Sequence, residues 1–490
     1  MVTKIRAFFG RRFSALPGDA RRLLAAAALL HVALAVGLFW AGRAGVAPGL
    51  IDRDGIMGSF AFDSYEYQRG AARLAGVLKE SGVAAWAAEA GPVHVKLLSI
   101  QFALLGPLFG HGTLSAEPLN LLCYLAVVGL TFFLGREVGG ARAGRLAGWA
   151  VALWPTFLLH TLQLLKDPLF VAAALALVLC VSTWLTRTYG PRGAAAAAAL
   201  AAAAVSLLLL IRSDFTVFSF ALVLFGFVLL VVRQLVERRP LYWNMVCPIL
   251  ILAAGVLLLL PSHTTRPAQK FKHFPSDQGG QPKAAAGVGV QVPTAVSYLP
   301  RPEAGPTTYT GRVHAAANRM AEKVGSVRFR FAAFYSESGS NIDPDVKLNT
   351  LGGLLRYLPR AFLIGCCAPF PETWVAPGRQ VGSAGRLLSG AETLAMYVVG
   401  LLALAAVFRP PRRLAAWLLL SVSVFGVTLL GLVVPNVGAL YRFRYTFWAL
   451  LIVLGAKGFE IVSASFGGRR ALIRSRAGGH SEKWVPREES

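Results

Sequence analysis

The chain has 490 residues, 55% of them hydrophobic and 15% charged, with a formal net charge of +25. A soluble chain of this length carries nearer a quarter charged residues and divides into several domains, so the composition excludes an ordinary soluble enzyme. The basic residues are scattered between apolar runs instead of gathered on one domain, which excludes the usual nucleic-acid footprint and suits membrane orientation and anionic headgroups.

Residues 1–22 are basic and lead into a long apolar run. That run exceeds a signal-peptide core and lacks a convincing A-x-A site, so it reads as an uncleaved signal-anchor helix. Apolar runs long enough to cross about 30 Å of hydrocarbon lie near 23–41, 117–135, 146–165, 168–185, 194–211, 215–232, 243–261, 392–408, 414–434 and 446–464. The expected class is an all-α polytopic membrane protein of about ten transmembrane helices. Residues 23–261 form one membrane module, 262–391 a long loop, 392–464 a C-terminal three-helix segment and 465–490 a basic tail.

Alternate short connections are basic. Arg6, Arg11, Arg12, Arg21 and Arg22 precede the first span. Arg136, Arg142 and Arg145 follow the second, Arg187 and Arg192 the fourth, and Arg233, Arg238 and Arg239 the sixth. Arg409, Arg412 and Arg413 follow the eighth, and Arg469, Arg470, Arg474 and Arg476 lie beyond the tenth. This is the positive-inside pattern, and it places both termini in the cytoplasm. Residues 93–110 would reverse every later loop if they spanned, and Lys96 and Pro107 suit a helix lying in the interface, so they are read as non-spanning.

Two far-side loops result, at 42–116 and 262–391. The second opens on an irregular Gly/Pro-rich stretch, PSDQGGQPKAAAGVGVQVPTAV, continues as a basic helix, GRVHAAANRMAEKVGSVRFRFAAFY, and closes on an interfacial helix, LLRYLPRAFLIGCCAPFPETW. Cys123, Cys180 and Cys247 read as small core residues, and the adjacent Cys366 and Cys367 fit neither a zinc spacing nor a structural disulfide. No internal repeat is evident.

Three features could carry chemistry. In FDSYEYQRGAARLAGVLKESG, Asp63 precedes a helix-like stretch with Glu66 near the same face. A carboxylate at the outer surface can take a proton from an acceptor hydroxyl, although Asp63 and Ser64 could instead cap the helix. Asp52 and Asp54 read as turn residues. In LLKDPLF, Lys166 and Asp167 occupy a short far-side turn before Pro168, where Asp167 could be an N-cap or face a protein cavity. His160, on the same helix, reads as a packed residue and is left out of the site. In PNVGALYRFRYTFWALL, Arg442 and Arg444 alternate with aromatic residues, and their guanidinium groups would grip a phosphate, against the alternative of headgroup snorkelling. Arg212 in LLIRSDF follows the same logic, and Lys96, Arg356 and Arg360 could contact the same anion.

With FDSYEYQRGAARLA, GPVHVKLLSIQFALLGPLFG, the REVGGARAGR-linked helix pair and LLKDPLF in this order, the chain resembles the GT-C fold glycosyltransferases that use polyprenyl-phosphate sugars. Bacterial relatives of the protein O-mannosyltransferases and lipid A aminoarabinose transferases are the nearest in pattern. The resemblance covers roughly the first 235 residues, with YLPR…APFP and YRFRY closing it. It implies that Asp63 is catalytic, that Asp167 assists, and that Lys96, Arg442 and Arg444 hold the lipid phosphate. It also implies inverting transfer of a sugar to a hydroxyl acceptor on the periplasmic face, with a divalent metal in some members. Ser64 stands where the mannosyltransferases have a second adjacent acid.

One rival is a polysaccharide polymerase or O-antigen ligase, whose reactive residues tend to lie in a later large loop. Another is a lipid or sugar carrier, which would show ionisable residues deep in its spans or paired broken helices, whereas the spans here are nearly free of charge.

Overall fold

The computed structural model describes residues 16–58, 60–212, 215–238, 240–259, 309–335, 340–375, 382–408 and 414–478. The Gly/Pro-rich stretch, Asp214, Arg239, and most of the basic termini lie outside these residues.

Among the described residues the regular structure is helical. The helices are α1 (Gly18–Arg43), α2 (Asp63–Glu80), α3 (Gly82–Ala88), α4 (Val93–Phe109), α5 (Thr113–Gly139), α6 (Ala141–Ala152), α7 (Pro155–Thr161), α8 (Asp167–Thr186) and α9 (Pro191–Ile211). They continue as α10 (Thr216–Glu237), α11 (Tyr242–Leu259), α12 (Tyr309–Phe334), α13 (Leu351–Cys367), α14 (Gly382–Phe408), α15 (Leu414–Val433), α16 (Val437–Phe443) and α17 (Tyr445–Gly478). Eight of them (α1, α5, α8, α9, α10, α14, α15 and the first part of α17) are long and apolar enough to cross a membrane. The chain is a multi-pass helical membrane protein. The segment at 93–110 forms the shorter apolar helix α4; of the expected span 243–261, residues 243–259 lie in α11, whose described apolar stretch Tyr242–Val256 is also short of a full span, and 260–261 lie outside the described residues.

The expected span at 146–165 is not one helix. It breaks between Ala152 and Pro155, where Trp154 is extended. Proline cannot donate the helical hydrogen bond and pushes the preceding residue out of the helical region. Hydropathy alone runs straight through this break because its residues are apolar. Backbone groups freed inside a membrane must find partners, and here they do. The Tyr124 hydroxyl donates to the Ala152 carbonyl at 2.7 Å. The Thr156 amide and hydroxyl donate to the Glu392 carboxylate at 2.7 and 2.6 Å. The Tyr441 hydroxyl donates to the same carboxylate at 2.6 Å. Glu392 is therefore an ionisable residue within a span whose work is structural. A second, Glu117 on α5, lies 2.8 Å from the His31 ring of α1, and the other ring nitrogen of His31 meets the Thr161 hydroxyl at 3.1 Å.

The second loop folds back on the bundle. The basic stretch forms α12, and its Arg328, 1% exposed, donates to the carbonyls of Gly431, Leu432, Ile342 and Asp343 and to the Tyr357 hydroxyl. The segment read as a second interfacial helix is α13, which crosses α15 so closely that a Cβ at Gly431 would stand 1.9 Å from the Ala361 carbonyl oxygen. Gly431→Val drives a branched side chain into that backbone. The expected loss is about 1–3 kcal/mol, read as a lower midpoint in thermal unfolding of the detergent-solubilised protein, with Gly352→Val as the tolerated control because a Cβ there meets open space.

Candidate active site

The consecutive antiparallel spans α8 and α9 bring the start of one and the end of the other to the same end of the bundle, so Asp167 and Arg212 meet there. Arg212 donates to the Asp167 carboxylate at 2.6 Å and lies 4.2 Å from the Phe443 ring centroid. The third charge arrives from the far end of the sequence. Asn436 caps α16 by accepting from the Ala439 amide at 3.0 Å, and its own amide reaches Ser340 and Asn341. This capping is the usual way to satisfy a helix's first free N–H groups. So anchored, α16 aims Arg442 at two carboxylates, 2.9 Å from Asp63 and 4.0 Å from Asp167.

The two acids differ in exposure. The Asp63 side chain is 41% exposed and that of Asp167 only 8%. Neither aspartate makes a side-chain capping bond to its helix; Asp63 turns to Arg442 and Asp167 to Arg212. Lys166 joins through its field on Asp167. Burial would lower the pKa of Arg442, but Asp167 and Asp63 beside it outweigh burial and raise it. Among the described residues, Arg212, Arg442 and Lys166 gather around the two carboxylates.

Two further groups, His94 and Tyr67, join the cluster, and the sequence did not single them out. Tyr67, one turn after Asp63 on α2, is held above its ordinary pKa by burial and by Asp63 and Asp167. His94 on α4 packs edge-to-face on Tyr67 at 4.4 Å between ring centroids. It is 3% exposed, and neither ring nitrogen has a hydrogen-bond partner among the described residues. Burial, reinforced by Lys166, lowers its pKa to about 3. Tyr335, at the end of α12, hydrogen-bonds Arg442, and burial and Asp63 raise its pKa.

The depressed pKa of His94 has a measurable consequence. Unfolded, this histidine takes a proton near pH 6.5; folded, it resists one down to about pH 3. Its neutral form therefore stabilises the fold fully above pH 6.5, and stability falls by about 1.4 kcal/mol per pH unit below that. Thermal unfolding between pH 7 and 4.5 is expected to show a steeper acid loss in the wild type than in His94→Gln.

Other expected residues lie elsewhere. Arg444, 0% exposed, donates to the Ala368 carbonyl and sits between the Tyr441 and Trp448 rings, 4.2 and 3.7 Å from their centroids. Lys96 donates to the Ala87 carbonyl at 2.9 Å and faces the Trp86 ring. Arg360 pairs with Asp343 at 3.0 Å, and Arg356 is exposed. Glu66 is exposed one turn along from Asp63. Asp52 accepts from the amides of Asp54 and Ile56, and Asp54 accepts from Gln68, the turn roles expected. His160 is packed, as expected, with its Nδ1 2.7 Å from the Thr156 carbonyl and 2.8 Å from the Tyr445 hydroxyl.

No family model and no curated protein matches the chain. Solved structures do. ArnT from Cupriavidus metallidurans bound to undecaprenyl phosphate is similar at a TM-score of 0.44 and 13% identity, over 92% of this chain and 63% of that one. The archaeal oligosaccharyltransferase AglB from Archaeoglobus fulgidus, in complex with an inhibitory peptide and a dolichol-phosphate, is similar at a TM-score of 0.47 and 13% identity, over 96% of this chain and 52% of that one. The chain thus spans about three-fifths and about half of their respective lengths.

Among the described residues no group of three His, Cys, Asp or Glu side chains could hold an ion, and both aspartates face guanidinium groups.

Proposed function

We propose that this protein is a membrane glycosyltransferase that moves a sugar from a polyprenyl-phosphate donor to a hydroxyl acceptor on the periplasmic face, with inversion at the anomeric carbon. The observation that carries the reading is the convergence of Asp63, Asp167, Arg212 and Arg442 at one end of the bundle, two guanidinium groups held beside two carboxylates. A phosphodiester carries one negative charge, and fixed guanidinium groups in a partly dry site suit it.

Asp63 is the exposed carboxylate and serves as base; the buried Asp167 holds Arg212 and Arg442 in position. Arg442 cannot grip Asp63 and a phosphate equally well. The arriving donor competes for the guanidinium and releases the Asp63 carboxylate for the acceptor. That carboxylate takes the hydroxyl proton as the acceptor oxygen bonds to the anomeric carbon. The bond from that carbon to the phosphate oxygen breaks, its electron pair leaves with the polyprenyl phosphate, and Arg442, Arg212 and Lys166 stabilise the added charge. Neutral His94 presents an uncommitted ring to the same space, and Glu66 flanks the acceptor's approach.

The test is transfer from radiolabelled polyprenyl-phosphate hexoses and pentoses by the purified chain in proteoliposomes. Label is expected to move from the lipid phase to an acceptor glycan, lipid or peptide, with release of polyprenyl phosphate. No transfer from any donor, with intact folded protein, would refute the reading.

A further inference from the structure

A cavity lies at the opposite end of the bundle from Asp63 and Arg442. It measures about 580 Å³, and its mouth carries Arg136, Glu137 and Arg187, while its walls include Leu179, Ala196 and Leu200. Helix α8 fixes the separation, because Asp167 opens it and Arg187 follows its last residue. Twenty residues at 1.5 Å each put the two ends about 30 Å apart, the thickness of the hydrocarbon core. The mouth therefore sits at headgroup level in the leaflet away from the candidate active site.

The walls run inward from there. Leu179 precedes Arg187 by eight positions on α8, about 12 Å down the helix. On α9, Leu200 lies at a comparable depth and is 64% exposed on the outer surface of the bundle, so the cavity opens sideways towards lipid. The small side chains of the alanine-rich α9 leave this space beside α8. Arg187 is held by Glu137 at 2.5 Å, and Glu137 also accepts from the Thr186 hydroxyl at 2.5 Å. Among the described residues lining the mouth, two guanidinium groups accompany one carboxylate.

We infer that this groove binds one anionic phospholipid, with its phosphodiester at Arg136 and Arg187 and an acyl chain along Leu179, Ala196 and Leu200. A charged mouth above an apolar slot about 12 Å deep fits a lipid better than a soluble anion, which has nothing to place in the slot. The site is independent of the transfer reaction proposed above.

The experiment is native mass spectrometry of the full chain released from nanodiscs of dioleoylphosphatidylglycerol or of dioleoylphosphatidylcholine. One retained phosphatidylglycerol per chain is expected, with phosphatidylcholine retained much less. Each basic residue near the headgroup strengthens anionic-lipid binding about fivefold, so R136Q/R187Q is expected to lower retention by an order of magnitude or more. Because Arg187 also braces Glu137, Ala196→Trp serves as a second variant. Ala196 is exposed and makes no charged contact, and the indole would fill the slot. It is expected to lose the lipid while keeping the wild-type unfolding temperature. Equal retention of both lipids, or wild-type retention by both variants, overturns the proposal. So does displacement of the bound lipid by millimolar inorganic phosphate, which would mark a site for a soluble anion.

Discussion

Asp63→Asn keeps the shape of the side chain and removes its capacity to accept a proton, so the expected result is a fall in turnover of about 100- to 10,000-fold in a protein that still folds. The carboxylate is 41% exposed and its ion pair with Arg442 is one of two that arginine makes. Losing such a partly screened contact costs little stability, and unfolding temperature should scarcely change. The kinetic split is more informative than the loss. With Asp63 neutralised, Arg442 has one competitor fewer for the donor phosphate, so the donor KM should stay the same or fall while kcat collapses. A polymerase or ligase working from the later loop would instead show near-normal turnover. Steady-state transfer measured against donor concentration separates the outcomes.

Arg442→Lys should produce the opposite split. The guanidinium spans Asp63 and Asp167 at 2.9 and 4.0 Å and hydrogen-bonds Tyr335 besides, a set of partners that needs a planar fork. An ammonium keeps the charge but offers a single point of attachment. Asp167 retains Arg212 at 2.6 Å, so the buried carboxylate is not left alone and the fold should survive. The donor KM is expected to rise, and kcat over KM to fall about 100-fold or more, as for loss of one oriented donor to developing charge. Arg444→Lys, by contrast, touches neither aspartate and should act through stability alone. If Arg442→Lys transfers sugar at wild-type rates with an unchanged donor KM, this arginine does not hold the phosphate.

Much of the bundle was legible in the sequence because a membrane imposes one strong rule, about 20 apolar residues per crossing. The basic turns distinguish the two ends, and the structure brings Asp63, Asp167, Arg212 and Arg442 together at one of them. What hydropathy could not show was the break at Trp154 and Pro155, since a window average is blind to one proline among apolar neighbours. Arg444 and Lys96 lie apart from the charge cluster for a related geometric reason. Arg442 and Arg444 were paired because they alternate with aromatics, but alternation puts residues on one face of a strand, whereas helical residues two apart point to nearly opposite sides. The same offset separates Lys96, which faces Trp86, from His94, which faces Tyr67 and the charge cluster. Tyr335 joins Arg442 only through the tertiary path of the second loop, for which the local sequence holds no signal.

Glu392 braces a break in the polypeptide more than two hundred residues upstream. The Thr156 amide and hydroxyl find their acceptor on α14, so the break within 23–261 is satisfied by a residue from outside that stretch. Arg442 belongs to that same later portion of the chain. The break at Trp154 and Pro155 and the charge cluster are thus both completed by residues that follow the long second loop.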